Sequence, residues 1–418
     1  MKKILLMLAA VLCCAAMFTS CEPDWEPIEY GKVFPYIYEG QTLYYVIDEE
    51  SQAATAVVPC YPNYPDLEED LGVFWKGYEK PKGKVVIPGT VEYGGKSFPL
   101  TALGWGLFLD CGDITSVSLP EGITTIPGAA FAYCSNLTDI HFPSTLTKIE
   151  GYAFQYDGKL GPDIVLPEGL TEIGDVAFGD CTSIETIVLP SSLRSIGGTA
   201  LDMCTKLKEV TFPDQLTQIG RGAMQLCTSL TTCHLPAQLE NISAYLFYGC
   251  KNLTTVNIPE GITSIGEAAL FHCDSLASIV LPNSIQSIGD YAFSYTKITD
   301  VSFPDQMTHL GEGVLKGCTM LTKCHLPAKL ESIDTYALVK CLSLRELSLP
   351  AGLAAIADSV FVGGTKLESL TLSSSVPPTA RQNTFEDYST AILVPKGAGD
   401  AYRRDEIWGR FANITEKE

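Results

Sequence analysis

Apolar positions along this chain return on a 23-residue cycle. Each cycle opens on an alternating segment such as "LTTVNIP" (253–259), with Leu253, Val256 and Ile258 as its apolar members. The last two are spaced by two and share a face, so the segment reads as a short strand. A proline closes it, at Pro120, Pro143, Pro167, Pro190, Pro213, Pro236, Pro259, Pro282, Pro304, Pro327 and Pro350, with one step of 24 and one of 22. A twelfth step lands on Ser373, where the proline is gone. Leu, Ile or Met follows three places later (Ile123, Leu146, Leu170) and Ile or Leu six places later (Ile126, Ile149, Ile173). Small-plus-large pairs come next, as in Ala130–Phe131, Ala153–Phe154, Ala177–Phe178 and Ala292–Phe293, and a cysteine often fills the fourteenth place.

This periodicity predicts one solenoid coil per cycle. Proline ends the strand, and Glu-Gly or Ser-Ser makes the corner. A second extended piece, "ITSIG" (262–266), closes on glycine, and a segment of the "EAALFHC" (267–273) type reads as a short helical turn with Ala and Phe inward. One coil cannot bury a core alone; about twelve stacked coils make a continuous one. The array spans 85–373. Upstream, 36–84 reads as an N-terminal β cap, with a hairpin in "TLYYVIDEESQAATAVVP" (42–59). A second hairpin turns at Gly94–Gly95 in "KVVIPGTVEYGGKSFPLTALG" (84–104) and leads into the array. Downstream, 374–418 reads as a C-terminal cap in which Tyr402, Trp408 and Phe411 cover the last coil. The array and its caps are expected to form one elongated domain.

The N-terminal 20 residues, "MKKILLMLAAVLCCAAMFTS", carry two lysines and then an apolar run too short to span a bilayer as a mature helix, so they read as a signal peptide. They lead into Cys21 through "MFTSC", which resembles the lipobox of bacterial lipoproteins, with Phe18 where leucine is usual. That resemblance implies lipid attachment at Cys21, a tether over 21–35 and no other membrane contact. Charge removes another class of function. The formal net charge is −21, and loss of Lys2 and Lys3 with the leader takes it to −23. A chain this acidic repels phosphate backbones, which argues against nucleic acid as a partner.

The motif "LPEGITTIPGAAFAYCSNLTDIHFP" (119–143) and its copies resemble the leucine-rich repeats of the BspA-like type, found in surface proteins of Bacteroides relatives and other host-associated microbes. The resemblance implies a leucine-rich repeat solenoid with short parallel strands and short helical turns. It also implies a non-catalytic adhesion or binding protein at the outer membrane or cell surface. Departures fall at Asp157, Thr296 and Gly364 in cysteine places, at an extra residue near Gly161–Pro162, and at a shortened turn around Ser294–Lys297. Each is expected to kink the stack locally.

Candidate chemistry concentrates in cysteine and histidine. Nine cysteines share the fourteenth place: Cys111, Cys134, Cys181, Cys204, Cys227, Cys250, Cys273, Cys318 and Cys341. Coils about 5 Å apart would permit bridging by distance. Stacked side chains leave the backbone in parallel, however, so a column of reduced, buried thiols is expected. No C-x₂-C spacing marks a zinc site, and no cofactor is expected. "TTCHLPAQL" (231–239) and "TKCHLPAKL" (322–330) set a cysteine beside a histidine, but alternation sends Cys233 and Cys324 inward and His234 and His325 outward. His141, His234 and His325 share one slot, separated by about 19 Å at four strand spacings each, too far for a common metal. His272 and His309 are expected in turns.

A ligand would be read by the outward strand slots, two and four places before each proline. The candidate contact residues there are His141, Glu209, Thr211, His234, Asn257, Asp300, Lys323, His325 and Glu346. This ribbon is rich in Thr and Ser, mildly acidic and poor in aromatics. Trp25, Trp75 and Tyr78, in or near the N-terminal cap, are alternative contacts but read better as packing. The expected partners are host extracellular or microbial surface proteins, bound by a monomer. The alternative is a glycan-binding module of a nutrient-uptake system.

Overall fold

The computed structural model describes residues 32–60, 74–364 and 366–417. The leader, Cys21 and Trp25 lie outside them, as does the tether up to residue 31. From Val33 onward the chain forms one compact unit. It is a parallel β-solenoid of about 13 turns of roughly 23 residues.

Two ladders of short parallel strands run along it. The first holds the strands before each proline, among them 114–118, 139–141, 163–165, 186–188, 209–211, 232–234 and 255–257. Pairing is in register with the repeat: Val210 opposes Cys233, which opposes Val256, and Thr211 opposes His234, which opposes Asn257. The second holds two-residue strands such as Glu172–Ile173, Ser195–Ile196 and Gln218–Ile219. Irregular coils interrupt the first ladder. It breaks between 139–141 and 163–165, in the coil with the extra residue. There Pro162, which has no N–H, still accepts from the N–H groups of Glu185 and Thr186. It breaks again at 278–280, next to the 22-residue step, and between 323–325 and 346–349, in a coil of ordinary length.

The segment read as a short helical turn is a run of tight turns. Two slots per coil hold left-handed backbone, at Ala129 (φ 54°) and Tyr133 (φ 62°), Val176 (58°) and Asp180 (60°), Ala268 (49°) and His272 (56°). Left-handed backbone in non-glycine residues is unfavourable by about 1–2 kcal/mol each and stops a helix. Hydrogen bonding offsets that cost. In 129–134 alternate N–H groups point to the next coil: Ala129 to Gly151 O, Phe131 to Ala153 O, Tyr133 to Gln155 O. Those between them close turns within the coil: Ala130 to Pro127 O, Ala132 to Ala129 O, Cys134 to Phe131 O. No backbone donor of 129–134 is left unpaired, which is what burial requires.

Side chains inside the coil stack in columns. Phe131 lies 5.1 Å from Phe154 with rings 2° from parallel, and Phe154 lies 5.1 Å from Phe178 at 10°. In 267–273 the pair places hold Ala269 and Leu270, both buried, and Phe271, one place later, is half-buried. Glycine ends the second strand because coils nearly touch there; a Cβ on Gly174 would sit 2.6 Å from the Gly151 nitrogen.

Both ends are covered. Strands 34–38, 41–48 and 53–57 form an antiparallel meander, and 53–57 pairs in parallel with 96–103. Strands 90–93 and 96–103 form a hairpin through Gly94 and Gly95, both left-handed. Trp75 is buried there, and Tyr78, half-exposed, meets Tyr44 edge-on at 5.2 Å. At the other end the first ladder continues through 391–394 to 413–416. The helix Gly399–Arg404 buries Tyr402, and the following turn buries Trp408, whose Nε1–H donates to Pro378 O at 2.7 Å.

The columns predict a ranking of substitutions. Phe154→Ala removes a ring stacked on both sides and should cost about 3–5 kcal/mol. Cys204→Ala removes only a thiol and should cost about 1–2 kcal/mol. Urea unfolding of the two variants beside the parent checks the order.

Candidate binding surfaces

Cysteine chemistry is absorbed by the core. The cysteines of the fourteenth place are free and buried, and so are Cys233 and Cys324; Cys60, in the N-terminal cap, is free and half-buried. Repeat thiols donate to a carbonyl of the preceding coil: Cys134 Sγ to Phe108 O at 3.2 Å, Cys204 to Phe178 O at 3.3 Å, Cys250 to Met224 O at 3.1 Å. Burial pushes Cys111, Cys233 and Cys324 up to about 12 and Cys318 up to about 11, so thiolates are suppressed. Among the described residues no group of three or more His, Cys, Asp or Glu is placed to hold a metal ion. Cys233 and Cys324 face the core while His234 and His325 are exposed on the other side of the same strands. The apparent dyad is therefore two residues on opposite faces.

The candidate contact residues all lie on one exposed face. His141, Glu209, Thr211, His234, Asn257, Asp300, Lys323, His325 and Glu346 are exposed, each flanking an inward residue on its strand. They do not converge on a point but line up coil after coil. Three valines share this face and stay open to solvent: Val165 (65% exposed), Val188 (53%) and Val280 (80%). An open hollow of about 420 Å³ lies on it, bounded by Glu168, Thr186, Val188, Ser191, Glu209 and Thr211. His309 departs from expectation: it sits on the second ladder, opposite Ser332, and contacts Asp334 at 3.0 Å. His272 is in a turn, as expected, with left-handed backbone.

Two features escape the pattern of strand slots. The first is an aromatic row on the edge made by the turns. Tyr248 stacks on Phe271 at 5.1 Å and His272 on Tyr295 at 4.6 Å; the Arg221 guanidinium lies 4.1 Å from the Tyr245 ring. These residues occupy the turn places eight, nine, twelve and thirteen after the proline. Comparing that column across coils shows the tyrosines, but nothing in the sequence says they are half-exposed. The second is a polar hollow of about 470 Å³ along the second ladder, lined by Glu172, Asp175, Ser195, Gln218, Asn241 and Ser243 among others.

Three carboxyls near the turns are out of the ordinary. Asp157 replaces a column cysteine, is fully buried, and neither oxygen has a partner. Burial holds its pKa well above the usual carboxylate range. Burial likewise raises Asp180 to about 6 and Asp202 to about 7.

Comparison with known proteins agrees with this geometry. The model of the BspA type leucine rich repeat region matches six copies, over 97–162, 160–277 and 263–391. The chain belongs to the BspA-type leucine-rich repeat family. A leucine-rich repeat protein from Bacteroides ovatus shares 22% identity at a TM-score of 0.58, covering 92% of this chain and 100% of its own. The pneumococcal vaccine antigen PcpA shares 17% at 0.50, covering 93% and 99%. A leucine rich cell surface protein from Faecalibacterium prausnitzii shares 21% at 0.48, covering 92% and 95%. No curated protein matches. Members of this repeat family are commonly non-catalytic binding proteins, and among the described residues no helix is long and apolar enough to cross a membrane.

The raised carboxyls set a pH dependence. Unfolded, each aspartate loses its proton near pH 4; folded, Asp180 and Asp202 keep theirs to about 6 and about 7. Across that window the folded state holds more protons, so the contribution of these two groups to stability is full below about pH 4 and is lost as pH rises to about 7. Thermal unfolding between pH 5 and pH 8 should show Tm falling by roughly 3–6 °C. Asp202→Asn should flatten part of that slope.

Proposed function

We propose that this BspA-type repeat protein is a non-catalytic, lipid-anchored surface protein that binds host or microbial macromolecules through the outward face of its first ladder. The observation that carries the reading is that face itself. Among the described residues its side chains are exposed or half-exposed over successive coils and include three open valines. Repeat stacks present such faces as extended contact surfaces, and an extended array of modest contacts suits a macromolecule better than a small metabolite. The leader and Cys21 support export and attachment at the outer membrane, with the protein acting as a monomer. A second reading, capture of a polysaccharide for uptake, is favoured by the polar hollow along the second ladder. Its Ser195, Gln218 and Asn241 side chains suit a hydroxyl-rich ligand.

Binding to panels of matrix proteins, mucins, microbial cells and glycans tests both readings. A protein ligand of the outward face should lose about tenfold or more in affinity with Thr211→Trp plus His234→Trp. It should keep its affinity with Gln218→Trp. Loss only with Gln218→Trp, for a glycan, would transfer the function to the second ladder. Cys21→Ala should move the protein from the membrane fraction to the soluble one.

A further inference from the structure

The outward face has banks as well as a floor. Two places before the proline, the floor over successive coils is His141, Val165, Val188 and Thr211. On one side, four places before the proline, stand Asp139, Asp163 and Glu209, all exposed. On the other side, one place after it, stand Glu121, Glu168 and Asp214, also exposed. The hollow of about 420 Å³ joins the two banks, since Glu168 and Glu209 both line it with Val188 between them. Some acids elsewhere have cations: Glu172 meets Lys148 at 3.1 Å, Glu185 meets Lys208 at 2.6 Å, and Glu368 meets Arg345 at 3.5 Å. Among the described residues, none of the six bank carboxylates pairs with a lysine or arginine. Asp163 accepts from Thr186, Glu168 from Ser191 and Glu121 from Ser144, which orients the groups without a cation in contact, although the Lys208 ammonium, paired with Glu185, lies within electrostatic reach of Asp163.

Resting on the reading of this face as the contact surface, we infer that its 139–214 stretch takes a basic, extended segment of a partner protein. Lysine or arginine side chains of that segment lay their aliphatic stems on Val165 and Val188, and their charged heads reach the carboxylates on either bank. Long cationic side chains are suited to such a site because stem and head want different surroundings. A purely apolar partner would desolvate both banks without compensation, which is costly. An acidic or phosphorylated partner would be repelled by them and by the net charge of −21. The floor adds affinity where the banks set orientation and association rate.

The probe is a synthetic peptide of alternating lysine and threonine, with its glutamate–threonine counterpart as control, titrated against the purified protein. The lysine peptide should bind saturably, weaken as salt rises, and lose about tenfold in affinity with Asp163→Asn, Glu168→Gln and Glu209→Gln combined. Removing three equal charges elsewhere, with Glu240→Gln, Glu331→Gln and Glu406→Gln, should change it less than about twofold. Val188→Ser should weaken binding several-fold without changing its salt dependence. Equal losses in the two triple variants, with unchanged unfolding midpoints, would reduce the effect to net charge and overturn the inference. Absence of lysine-peptide binding would overturn it too. A macromolecular ligand lost with Thr211→Trp and His234→Trp but indifferent to the bank variants would sink the basic-segment inference while leaving the contact face standing. A ligand indifferent to both sets would remove the contact face itself.

Discussion

Everything in this protein depends on how a coil satisfies its own turn. A strand can pair with the strand of the next coil without difficulty, but a turn seldom can, because its N–H groups point in several directions. Here left-handed backbone at two places per coil makes alternate N–H groups point along the stack. The remaining ones close tight turns in between. Turn segments become a further ladder, and coils that bond on every side are held to a common register of about 23 residues. The glycines at the end of the second strand belong to the same constraint, since coils bonded this closely leave no room for a Cβ.

Register then decides what each side chain can do. Identical places in successive coils stack as columns, so rings meet rings and thiols meet carbonyls. A cysteine in such a column has its hydrogen bond supplied from the coil before and its thiolate suppressed by burial, which makes it structural. Asp157 shows the cost of breaking the column: a carboxyl inherits a place built for a thiol and finds no partner. The strand places before each proline are the reverse case. Among the described residues their outward places stay at the surface in coil after coil, which is where differences between coils can be used for recognition.

Much of this was legible from spacing. The 23-residue return of proline and leucine was enough to place coils, the inward and outward strand slots, and the cysteine column. It also showed that Cys233 and His234 part company. What escaped was governed by backbone geometry that residue type does not announce. Tyr133 and Val176 are poor signals for left-handed backbone, so the turns read as helix, although glycine at the same places in other coils, as at Gly222 and Gly249, carried the signal. The same misreading placed Phe271 inward, when the turn puts Leu270 there and leaves Phe271 on an aromatic edge. His309 was assigned to a turn because a two-residue strand has too few positions to show alternation.

Amide hydrogen exchange on the native protein tests the central claim most directly, read at single residues in the turn segments. If coil-to-coil bonds hold the turns, the amides of Phe131, Phe178 and Phe247 exchange as slowly as those of the strand residues Ile187 and Val210, although no helix or strand contains them. Exchange of these amides at the rate of exposed surface turns, while the strand amides stay protected, would contradict it.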